Sequence, residues 1–60
     1  MPRLFAVLEI KSQELVFTSS RYSAASSFLR SVPERLRDYF CIVRYDPNEN
    51  WVPAEEEKNS

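Results

Sequence analysis

The sequence predicts a small α+β domain. Its order is β-β-α-β, with a three-stranded antiparallel sheet ordered 2-1-3 and one helix packed on one face. Three observations predict this. Residues 4–10, 14–18 and 39–45 are rich in β-branched and aromatic side chains and read as strands. Between Tyr22 and Val32 apolar residues recur every three or four positions, the helical period. The helix must cross back over the sheet, and such crossovers are right-handed, which sets the third strand against the free edge of the first.

The first strand, residues 4–10, sends Leu4, Ala6, Leu8 and Ile10 to one side and Phe5, Val7 and Glu9 to the other. Apolar residues on both sides mark a central strand. Lys11-Ser12-Gln13 interrupts the run, and with no glycine in the chain a loop built on a type I turn is favoured over a type I′ hairpin. In the second strand, residues 14–18, Leu15 and Phe17 share one face and Val16 and Thr18 the other. Ser19 and Ser20 are good N-cap residues for a helix over about residues 20–30. Its middle, Ser23 to Ser27, is all small side chains, which lets the helix axis approach the sheet closely. Pro33 ends it and biases Val32 toward extended backbone. Ser31 and Glu34 have the capping-box spacing, opening a second helical turn over 33–38 with Leu36 inward and Arg35, Arg37 and Asp38 outward. The third strand, residues 39–45, stops at Asp46-Pro47-Asn48. The domain spans residues 1–52 with Trp51-Val52 as its last apolar pair, and residues 53–60 read as an acidic, disordered tail.

Sixty residues allow one domain, with a marginal core. Cys41 is the lone cysteine and there is no histidine, so neither an intrachain disulfide nor a closed Cys/His zinc site is expected. No catalytic residue, cofactor site, metal site or small-molecule substrate emerges. Cys41 has no histidine base and reads as a packed strand residue. The pairs Glu9/Glu14 and Glu34/Asp38 read as solvated surface charge, and the run Glu55-Glu56-Glu57 lacks the fixed geometry of a cation site. No apolar run approaches the ~18 residues of a membrane span, and no secretory leader is evident. The chain reads as cytoplasmic and complete from Met1, its single thiol suiting a reducing compartment.

Charge is uneven. Residues 1–45 carry seven cationic against four anionic side chains, and residues 46–60 one against five. One helix covers one face of the sheet, taken here as the face of Leu4, Ala6, Leu8, Leu15, Phe17, Phe40 and Ile42. The second face then carries Phe5, Val7, Val16, Cys41, Val43 and Tyr45. A solvated face should alternate to polar residues, and a contiguous apolar patch marks an interaction site. Its cover is Trp51-Val52 folded back, a second copy or another protein.

The leading functional reading is a non-enzymatic protein-interaction module, a small regulator or inhibitor that binds another protein sterically. Its expected contacts are Arg35, Arg37, Arg44, Tyr45 and Trp51. An alternative is a small nucleic-acid-binding module that uses the arginine-bearing face with its neighbouring tyrosines. A third is a structural subunit, a homodimer held through Phe5, Val7, Val16 and Val43.

The layout of residues 4–45, strand-strand-helix-strand with an arginine-bearing edge and an acidic segment after it, resembles small phage-encoded inhibitors of host enzymes. Those that bind host RNA polymerase are nearest in layout. The resemblance implies a viral origin and steric binding to a host protein, and it assigns no role to any single residue.

Overall fold

A computed structural model describes residues 3–54. Its elements are β1 (Phe5–Glu9), β2 (Glu14–Ser19), α1 (Tyr22–Ser31), a 3-10 helix (Glu34–Tyr39), β3 (Phe40–Asp46) and β4 (Asn50–Pro53). The strands form one antiparallel sheet ordered β2-β1-β3-β4, with α1 packed against it. The class and the 2-1-3 order agree with the sequence; the fourth strand is new. Trp51 and Val52, one of three covers considered for the second face, instead extend the sheet alongside β3.

A local turn explains that strand. The Asp46 carboxylate accepts the Asn48 N–H at 2.7 Å, and the Asp46 carbonyl accepts the Glu49 N–H at 3.1 Å. Asn50 then takes φ 68°, a left-handed value that asparagine tolerates better than most residues. The chain reverses within a few residues, and Tyr45 pairs with Trp51. The β1–β2 loop uses the same device at Gln13, φ 62°, whose side-chain amide donates to the Ile10 carbonyl at 2.7 Å.

Register decides which side of β1 meets the helix. Val7 pairs with Phe17 on one flank and Ile42 on the other, and Glu9 pairs with Phe40. Directly paired residues share a face. Phe5, Val7, Phe17, Phe40 and Ile42 therefore lie together under α1, where they pack with Tyr22, Ala25, Phe28 and Leu29. The expected faces of β1 are thus exchanged: Phe5 and Val7, placed on the second face by the sequence, are 4% and 0% exposed in the helix-covered core. Leu4, Ala6 and Leu8 take the other side. Alternation alone left this choice open, because both sides of β1 are apolar. Leu15 and Phe17 are also separated. A bulge between Val7 and Leu8 on β1 leaves Val16 as the extra residue of β2, so Leu15 pairs with Leu8 while Phe17 pairs with Val7.

The helix sits close because Ala25, fully buried, is at the point of contact. Aromatic pairs flank it. Phe5 meets Tyr22 edge-on with centroids 5.8 Å apart, and Phe17 stacks on Phe28 at 4.8 Å. The expected caps are replaced. The N-cap is Arg21, which makes no side-chain cap bond; its N–H donates to the Ser19 hydroxyl at 3.2 Å. Ser31 donates to the Phe28 carbonyl at 2.6 Å instead of opening a capping box. Leu36, expected inward, is 37% exposed. Pro53 belongs to β4, and Ala54 packs on the core and donates its N–H to the Ile42 carbonyl at 3.0 Å. The rest of the expected acidic tail, residues 55–60, lies outside the described residues.

Stability for 60 residues is on the order of 3–9 kcal/mol. Phe5→Ala, which empties the centre of the core, costs about 3–5 kcal/mol. The expected outcome is loss of most of the cooperative transition in a urea melt followed by circular dichroism. A variant that keeps its midpoint would mean that Phe5 is not central to the core.

Candidate functional site: the open face of the sheet

The side of the sheet away from α1 is built from alternate positions of all four strands. Ala6 and Leu8 come from β1, Leu15 and Thr18 from β2, Cys41, Val43 and Tyr45 from β3, and Trp51 and Pro53 from β4, as the pairing places them. The ladder continues past β1 through the bonds Tyr45 N–H to the Leu4 carbonyl and Ile10 N–H to the Tyr39 carbonyl, both 2.9 Å. Leu4 and Ile10 thus prolong the central row, and they are 40% and 46% exposed.

This face carries no charged strand residue. The charged residues within the strands are Glu9, Glu14, Arg44 and Asp46, and register puts all four on the helix side. A sheet with one helix on it ordinarily shows the reverse pattern, apolar toward the helix and polar toward water. Here the ion pair of Arg44 with Asp46, 3.9 Å, lies on the helix side of β3.

The face has a dense centre and an accessible rim. Ala6 and Val43, paired across β1 and β3, are 0% and 4% exposed. Leu15 and Tyr45 stand out at 38% and 43%. Tyr45 meets Trp51 edge-to-face with ring centroids 5.4 Å apart, a rigid aromatic corner where β3 and β4 run together. Cys41, next to Leu8 in the same face, is half-buried, and burial pushes its thiol above the usual value. That lowers the thiolate fraction, the reactive form, at neutral pH.

The five expected contact residues do not form one surface. Tyr45 and Trp51 sit together on the open face. Arg44 points to the helix side, and Arg35 is exposed on the 3-10 helix, which packs against α1 and β3. Arg37 is committed to the fold: its Nε donates to the Val32 carbonyl at 3.0 Å and its NH2 to the Arg30 carbonyl at 2.8 Å. It thereby closes the C-terminal end of α1, whose last carbonyls lack helical partners. Of the four expected self-association residues, Val43 lies on the open face. Val16 protrudes at the β2 bulge, and Phe5 and Val7 are in the core. Sequence reasoning missed Leu8 and Leu15. The signal for Leu8 was present in the alternation of β1 but applied to the wrong face, and Leu15 was hidden by the bulge.

No family model, no curated protein and no solved structure matches this chain. Among the described residues, no helix is long and apolar enough to cross a membrane.

Two outcomes follow. Arg37→Ala removes two charge-assisted bonds and costs about 1.5–3 kcal/mol in urea unfolding. Arg37→Lys does not restore it, since a single ammonium cannot reproduce the planar fork. Full recovery with lysine would reduce Arg37 to a simple charge. For Cys41, the fold favours the neutral thiol. Its contribution is complete below the unfolded-state pKa and is lost as pH rises through the higher folded-state value. Wild type therefore loses stability relative to Cys41→Ala from about pH 8.5 upward. Parallel pH profiles of the two melting temperatures would contradict this.

Proposed function

We propose that this chain is a non-enzymatic protein-interaction module whose working surface is the open face of the sheet. One observation carries the reading: the strand residues on the exposed side of the sheet are mostly apolar and none is charged, while every charged strand residue lies on the helix side. Water does not favour such an arrangement, and an apolar protein surface does. Tyr45 and Trp51 are suited to anchor a partner, since paired aromatic rings bury large area at small entropic cost. Leu8 and Leu15 extend the contact toward β2. The mechanism is steric: a small rigid slab occupies an apolar patch of its target and so regulates or inhibits it, as in the phage-encoded inhibitors of similar layout. In this reading it acts in the cytoplasm, where Cys41 stays reduced. The nucleic-acid alternative has less support. Phosphate contacts need cations, and two of the arginines that reading relies on are already engaged, Arg37 with backbone carbonyls and Arg44 with Asp46.

Site-specific crosslinking tests the proposal. A photo-reactive phenylalanine analogue replaces Tyr45 in one variant and Arg35 in a second. Each is irradiated in nuclease-treated lysate and its adducts are read by mass spectrometry. A defined protein adduct, the chain itself included, is expected from position 45 and absent from position 35. Leu15→Glu in the same background lowers its yield at least about tenfold. Adducts from position 35 alone, or from neither position, would overturn the assignment of the surface.

A further inference from the structure

We infer that the occupant of the open face is the same face of a second copy of this chain, related by a two-fold axis. The inference rests on the interaction reading above and deepens it by naming the partner. Three observations support it.

The first is charge. In a two-fold contact each residue near the axis meets its own counterpart, so any charge there faces its like. Among the described strands no charged residue lies on the open face: its centre is Ala6, Leu8, Cys41 and Val43, and its rim adds Leu15 and Tyr45. The formal net charge of the whole chain is −1, so the approach of two copies meets little overall repulsion.

The second is the core. Among the described residues the buried side chains are Phe5, Ala6, Val7, Ala25 and Val43, two of them alanine, and Val7 is the largest that is fully buried. Ala6 and Val43 belong to the open face, so the helix-covered core is thinner still. A domain this small ordinarily gains stability from disulfides, a metal or association. One cysteine allows no intrachain disulfide, and the described residues hold no cluster of three metal-ligating side chains. The polar residues 55–60 (Glu, Glu, Glu, Lys, Asn and Ser) offer nothing apolar to lay over the face.

The third is size and shape. The molecule is a slab with extents of 34 × 26 × 16 Å. Its thin dimension suits one helix layer on one sheet layer, stacked about 10 Å apart. The open face itself, four strands about 4.8 Å apart and about 20 Å long, covers roughly 400 Å², the size of a weak contact that dissociates on dilution. Two twisted sheets of equal width pack face to face with strands inclined by about 30°, enclosing a common core.

Sedimentation of the purified full chain across a wide concentration range tests the inference. The expected result is a dimer that dissociates on dilution. Tyr45→Glu and Leu15→Glu, both at exposed positions, raise its dissociation constant at least about 100-fold by setting like charges against each other. Both variants keep the wild-type circular dichroism spectrum, and Arg35→Glu leaves the dimer intact. A chain that stays monomeric at the highest concentration would overturn the second-copy assignment. In that case an adduct to a different protein from position 45 would leave the interaction reading standing, and no adduct would remove both. A dimer untouched by Tyr45→Glu and Leu15→Glu but abolished by Thr18→Pro would also overturn the inference, since it would join copies through the free edge of β2.

Discussion

Val7 is the point on which the rest of this structure depends. It lies on the central strand, fully buried, with Phe17 and Ile42 beside it in the neighbouring strands and α1 above. One helix can cover one face of a small sheet. Once Val7 and Phe5 occupy that face, alternation sends Ala6 and Leu8 to the other, and register carries Cys41, Val43 and Leu15 with them. The apolar character of the open side is therefore not a local accident of composition. It follows from a central strand with hydrophobic residues at nearly every position and only one helix to cover it.

The same geometry separates the charges from the candidate site. Glu9 and Glu14 are direct cross-strand neighbours on the helix side, an unfavourable placement for like charges. Arg44 and Asp46 lie on that side at the opposite end of the sheet. The Ser12 hydroxyl donates to the Glu9 carboxylate, which eases its burden there. Moving these four residues to the open face would have produced an ordinary solvated sheet. The arrangement found keeps charged strand residues off that face, and Arg37, beside the helix, serves the fold by closing α1.

Much of this was legible in the sequence. The β-rich runs and the helical period locate β1, β2, α1 and β3, because such segments repeat their signal several times over. The 2-1-3 order follows from the handedness of the single crossover. Three features were not legible, each for a physical reason. The side of β1 that meets the helix is fixed by register with β3, and both sides of residues 4–10 are apolar. The bulge at Val16 is an insertion in a ladder, visible only when its partner strand is known. Strand β4 is four residues long and depends on the turn at Asp46 and the left-handed Asn50. Of the candidate site, Val43, Tyr45 and Cys41 were placed on the correct side, since β3 alternates cleanly, whereas Phe5 and Val7 were not.

Trp51 gives this surface a further property. It is the single tryptophan of the chain, and it stands on the open face against Tyr45. Indole emission shifts with the polarity around the ring, so the tryptophan fluorescence of the folded protein originates at one corner of one surface. The molecule thus carries its own optical label where contact is proposed, and docking there is visible without adding a dye.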